Sequence, residues 1–188
     1  TFERFSIKGN GADMRASESL ESALNAAKSF ARGPTGWLIL TGTTGCGKTH
    51  LAAAIVNDLE QKGQIVTLLL VPDLLDYLRS TFSPQSLVTY DQAFENVLTA
   101  PILVLDDLGA HNSTPWAMEK LHQLMVHRHE AKLPTVITIH GFIEGDPDSE
   151  MGLPDAMQSR LKDFSVVTWV PIVAPDFRTF EQRPRLEP

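Results

Sequence analysis

Two short stretches concentrate the residue types that phosphate chemistry needs. From Gly42 to Thr49 the chain reads Gly-Thr-Thr-Gly-Cys-Gly-Lys-Thr, which matches the spacing G-x-x-x-x-G-K-[ST]. Glycines at that spacing let successive backbone N–H groups turn toward one centre, where they and a helix N-terminus can hold a polyphosphate. Lys48 would reach the β- and γ-phosphates, and the Thr49 hydroxyl would ligate Mg²⁺. The phosphate-binding set is therefore Gly42, Thr43, Thr44, Gly45, Cys46, Gly47, Lys48, Thr49 and His50, the last opening the helix. The second stretch, Pro101-Ile102-Leu103-Val104-Leu105-Asp106-Asp107, is an apolar run closing on two carboxylates, the Walker B pattern. Asp106 would hold Mg²⁺ directly or through water, and Asp107 would orient or polarise an attacking water.

The elements around these stretches are the ones such chemistry requires. Trp37 to Leu40 reads as a buried strand leading into the loop, and His50 to Val56 opens a helix that runs to about Lys62, where Gly63 stops it. A first helix is expected over Ser17 to Ala31, capped by Ser17 and stopped by Gly33-Pro34. Ile65 to Val71 is a continuous apolar run, consistent with a strand covered on both faces, and Pro72 starts a helix carrying Leu74, Leu75 and Leu78 on one side. Further helices are expected at Leu87 to Leu98, Pro115 to about Ala131 and Asp155 to Lys162. Strands are expected at Thr135 to Ile139, ending near His140, and at Ser165 to Val170, with a loop at Gly145 to Asp148. Alternating strands and helices imply an α/β fold built on a parallel sheet with helices on both faces. Ligands of such sheets bind at the carboxyl ends of the strands, where the glycine loop, the acidic pair and His140 converge.

Composition sets limits on the reading. A chain of 188 residues, 43% hydrophobic, fits one domain with a full core. No apolar run approaches the roughly 20 residues of a membrane span, and no signal pattern opens the chain, so a cytoplasmic protein with no membrane partner is expected. Because the chain opens on Thr1, it reads as a piece of a longer protein. The single cysteine, Cys46, excludes an internal disulfide. A net charge of −7 and a pI near 5.3 argue against a broad nucleic-acid footprint, so any DNA contact must be local or built by several subunits. His122, His127 and His129 share a helix, but five or seven residues apart they miss the i, i+4 face of paired helical ligands. No G-x-S-x-G elbow supports a serine hydrolase.

Taken together, Gly42 to Ala52, Leu103 to Gly109, Pro134-Thr135, Ser159-Arg160-Leu161 and Asp176-Phe177-Arg178 resemble the AAA+ core of DnaC/DnaI-type replicative helicase loaders. The opening Thr1-Phe2 to Phe5 resembles the start of that core, and IstB-type transposition helpers share the motifs. The resemblance implies a P-loop NTPase of AAA+ type: a five-stranded parallel sheet with the phosphate-loop strand central and the acidic strand two places away. Residues 1–180 would form the core and 181–188 a frayed tail, with no C-terminal lid domain. It implies ATP and Mg²⁺ as ligands, slow hydrolysis by the isolated domain, and a homo-oligomer that sandwiches ATP between subunits. Lys48 and Asp107 would serve catalysis, Thr138 and His140 would form the first-sensor region, and Arg160 would be an arginine finger for a neighbour's ATP. Arg178 matches the family's closing Asp-x-Arg. The implied partner is a hexameric replicative helicase, with a transposition helper or an ATP-switched interaction module as alternatives. Single-stranded DNA is a weaker inheritance, because Pro72 to Ala100 offers Arg79 alone against Asp73, Asp76, Asp91 and Glu95.

Overall fold

A computed structural model describes residues 1–8, 12–109, 114–141 and 153–178. The expected loop at Gly145 to Asp148 and the tail from Glu181 lie outside the described residues. Five parallel strands form one sheet: β1 (Trp37–Gly42), β2 (Val66–Leu70), β3 (Ile102–Leu108), β4 (Thr135–His140) and β5 (Val167–Ile172), in the order β2-β3-β4-β1-β5. The phosphate-loop strand β1 is paired on both sides, and β3 lies two places away across β4. The middle strand is β4, not β1, because β5 adds only one strand beyond β1.

Period-two alternation divides the strand side chains between two cores. Leu38, Leu40, Val104 and Val136 face α1 (Met14–Arg32) and α2 (Lys48–Gln61), packing with Leu51, Ile55 and Leu59. Ile39, Leu103, Leu105 and Ile137 face the other layer, α3 (Val71–Ser80), α4 (Tyr90–Leu98), α5 (Pro115–Glu130) and α6 (Asp155–Leu161). Each fully buried Leu or Ile contributes about 1.5–3 kcal/mol. Among the described residues, no helix is long and apolar enough to cross a membrane.

Several boundaries differ from the sequence expectation, each for a local reason. Helix α1 begins at Met14 because the Asp13 side chain accepts from Ala16 N–H at 2.8 Å, so Asp13 and not Ser17 caps it. Helix α4 begins at Tyr90, where Thr89 and Gln92 form a reciprocal capping box, leaving Leu87 fully exposed. The apolar run at Ile65 to Val71 is not covered on both faces. Strand β2 is the sheet edge, with Ile65, Leu68 and Leu70 exposed, and Val71 already belongs to α3. Strand β5 runs two residues beyond Val170 to Ile172, in register with β1 to Gly42.

The ends of β3 and β4 that lie opposite the glycine loop are tied by a buried arginine. Arg128, 1% exposed, donates from Nε to Thr135 Oγ1 (3.0 Å) and from its terminal nitrogens to the carbonyls of Val97, Leu98, Ala100 and Pro134 at 2.8–3.4 Å. Burial pushes its pKa down to about 10, still far above neutral pH, so the guanidinium stays charged. Arg128→Met should cost about 3 kcal/mol or more, because it removes all these hydrogen bonds at once, those to the buried carbonyls of Val97 and Ala100 among them. Arg128→Lys should recover little, since an ammonium cannot span that fork. Urea midpoints of the two variants check this; a loss within about 0.5 kcal/mol would show that the knot is not structural.

Candidate nucleotide-binding site

At the carboxyl ends of the strands lies a cleft of about 500 Å³. The backbone builds its floor: Gly45 (φ 74°) and Gly47 (φ 112°) take left-handed conformations that turn the loop into α2. At Gly47 a Cβ would stand 2.8 Å from Phe5 Cε2, so the N-terminal segment packs directly on the loop. Phe5 also meets the His50 ring edge-on, and His50 Nε2 donates to the Thr1 carbonyl at 3.0 Å.

Lys48 is 8% exposed, and its ammonium donates to the carbonyls of Gly42 and Thr43, each at 2.8 Å. No carboxylate of a described residue pairs with it. A buried cation without an anion is costly unless a ligand supplies one, so this position fits a phosphate. The acidic side mirrors it. Asp106, 4% exposed, accepts on Oδ1 from Thr138 Oγ1 (2.5 Å) and Thr49 Oγ1 (3.2 Å), and has no described cation partner. That oxygen-rich group suits a hard divalent cation. The Cys46 thiol is buried, and desolvation pushes its pKa up, so it is an inert wall residue.

The structure brings Lys48, Thr49, Asp106, Asp107, Thr138 and His140 to one cleft, together with Thr44 to Gly47 and His50. Gly42 and Thr43 do not line it; they serve it through the carbonyls that hold Lys48. Arg160 is not in the lining of its own chain's cleft; it sits on α6, half-buried, with Nη1 donating to Ala156 O at 2.9 Å. Arg178 does line the cleft. His140 is exposed, and its Nε2 lies 2.6 Å from Thr44 Oγ1, bridging β4 to the glycine loop.

Three features escaped sequence reasoning. Asp107 has φ 64°, beside a register shift in the β3–β4 pairing between Leu105 and Leu108. A left-handed non-glycine residue costs about 1–2 kcal/mol, and the strain turns the second acid into the cleft. Thr138 holds that geometry: its Oγ1 accepts from Asp107 N–H at 2.8 Å while donating to Asp106. The walls formed by Arg4, Phe5, Leu20 and the segment after β5 come from distant parts of the chain. Only the aromatic residues of the opening segment signalled that it packs.

Fold and site together define a P-loop nucleotide-binding domain of AAA+ type. The family model of the IstB-like ATP binding protein matches residues 2–162, and the chain belongs to that ATP-binding family. Among curated relatives, the replicative helicase loader DnaI of Bacillus subtilis is 34% identical over 99 residues, covering 52% of this chain and 31% of the relative. The replicative helicase loader DnaC of Buchnera aphidicola is 30% identical over 135 residues, covering 72% of this chain and 53% of the relative. The chain thus spans about a third to a half of these relatives. Among solved structures, a crystal structure of the DnaC helicase loader aligns over 92% of this chain and 98% of its own, with TM-score 0.69 and 22% identity, a likeness of fold.

Proposed function

We propose that this chain is the ATPase core of a replicative helicase loader, and that ATP binding assembles it into a homo-oligomer. The observation that carries the site reading is the buried ammonium of Lys48 at the floor of the cleft, with which no carboxylate of a described residue pairs. Thr49 and Asp106 would hold Mg²⁺, which when bound neutralises charge on the phosphate oxygens. Asp107 would orient the attacking water, Thr138 would fix the acidic pair, and His140 would report on the phosphate end through Thr44. Arg160 does not line its own chain's cleft and would complete a neighbour's site, so the lone domain would turn over slowly.

Names of the matched relatives favour a loader acting on a replicative helicase, for which we propose a cytoplasmic location; the family's IstB label keeps a transposition helper as the second reading. Single-stranded DNA is a further proposed ligand. Its support is a stacked cluster on the helical layer. Phe82, 59% exposed, stacks on Tyr90 at 5.1 Å, and Arg79 lies 5.0 Å over the Trp116 ring. The test is capture of the host's replicative helicase by the protein, expressed with whatever sequence its gene places before Thr1, with ATP·Mg²⁺ and a labelled oligothymidine. Helicase and oligonucleotide should be retained together. Retention of a transposase in place of the helicase would move the assignment to the second reading, and loss of the oligonucleotide alone would remove the DNA claim.

A further inference from the structure

The two edges of the sheet are finished differently. Strand β5 carries Pro171, which has no N–H to offer another strand, and α1 reaches its outer backbone groups: Ser19 Oγ donates to the Pro171 carbonyl at 3.1 Å and accepts from Val173 N–H at 2.8 Å. Strand β2 has no such guard. Among the described residues no strand pairs with its outer side, and the ten residues from Gly63 to Pro72 carry no charge. Ile65 is 71% exposed, Leu68 44% and Leu70 46%, so apolar side chains and an open backbone edge face solvent together. An edge of that kind is a template for a further strand.

Charge and length say which strand fits. A chain of net charge −7 repels its own copies over most of its surface, but not along this uncharged window. A basic segment finds no acid there, and a nucleic acid finds no cation. An uncharged apolar strand of matching length is β2 itself in a second copy. The window is bounded by Lys62 at one end and Asp73 at the other, so antiparallel pairing sets each end against the opposite charge, with Lys62 also held by Asp58 of its own chain. Symmetry about Leu68 overlaps all five residues of Val66–Leu70. It places Leu68 opposite Leu68 of the second copy and Val66 opposite Leu70, apolar pairs that share one face of the sheet.

We propose that two copies of this chain associate through their β2 edges, antiparallel about Leu68, into one continuous sheet. The contact is separate from the ATP-driven assembly above, since it needs no nucleotide and Leu68 does not line the cleft. Five strand residues a side cover less than the roughly 800 Å² per partner of a standard interface, so the dimer belongs in the micromolar range.

The test is the mass in solution, by sedimentation equilibrium across the micromolar range without nucleotide, of the protein expressed with whatever sequence its gene places before Thr1. Wild type should show a monomer and dimer in exchange. Leu68→Lys and Leu68→Glu each set two like charges against one another at the symmetry axis, and each should weaken self-association by about tenfold or more. Mixed in equal amounts the two variants should pair again, because a lysine then faces a glutamate. Circular dichroism and ATP affinity of both variants should match wild type, which separates loss of pairing from loss of fold. The proposal is overturned by a wild type that stays monomeric, by a dimer that both variants retain, or by a mixture no more associated than either variant alone. A dimer that forms only with ATP would overturn it too, since that contact would belong to the cleft.

Discussion

Lys48→Ala should reduce ATP affinity by about a hundredfold or more, to the edge of calorimetric detection. The ammonium is the buried positive charge at the floor of the cleft, and a charge-assisted bond to phosphate in so desolvated a position is among the strongest the site can make. Its removal also leaves the Gly42 and Thr43 carbonyls without their donor, so the loop itself would relax. Lys48→Arg separates the two effects, since it keeps the charge but cannot reproduce the geometry of a point cation. Affinity retained by Lys48→Ala, in a variant whose circular dichroism matches wild type, would place the nucleotide elsewhere.

Mixed variants should restore ATPase activity that neither shows alone, by about a thousandfold over the Arg160→Ala background. Arg160→Ala keeps an intact cleft, whereas Lys48→Ala keeps Arg160 on α6. If a neighbour's Arg160 reaches the phosphates, the productive interface pairs the sound cleft of one variant with the arginine of the other. The gain should grow with protein concentration, because it needs two subunits. Full activity of Arg160→Ala at dilutions where only monomer exists would place the stabilising charge within the chain, with Arg178 the candidate.

Much of the site was legible because it lies in contiguous residues. A glycine loop between a buried strand and a helix is a local device: the φ angles of Gly45 and Gly47 and the position of Lys48 follow from neighbours in sequence. An apolar run closing on two acids marks the carboxyl-terminal part of a buried strand for the same reason, although β3 itself carries Asp106 and Asp107 and continues to Leu108. Helix starts were less legible: Ser17 is a good cap by residue type, but Asp13, four residues earlier, caps the helix, and Ala16 in the added turn is buried. The apolar run before Pro72 misled for a related reason. Hydrophobicity reports that a strand can be buried, while its place at the sheet edge decides whether it is.

By itself the sequence determined the chemistry: a phosphate loop, its cation Lys48, the acids Asp106 and Asp107, and an α/β frame to carry them. Tertiary structure decided what surrounds that chemistry. Thr138, 32 residues from Asp106, becomes its hydrogen-bond donor because β3 and β4 are paired, and Thr44 meets His140 because β1 borders β4. The segment after β5 closes over Gly45 because β5 runs parallel to β1 and ends beside the same loop. These side-chain contacts join residues 32, 96 and 131 positions apart. No local pattern encodes them, since they exist only after the sheet has set the order of its strands.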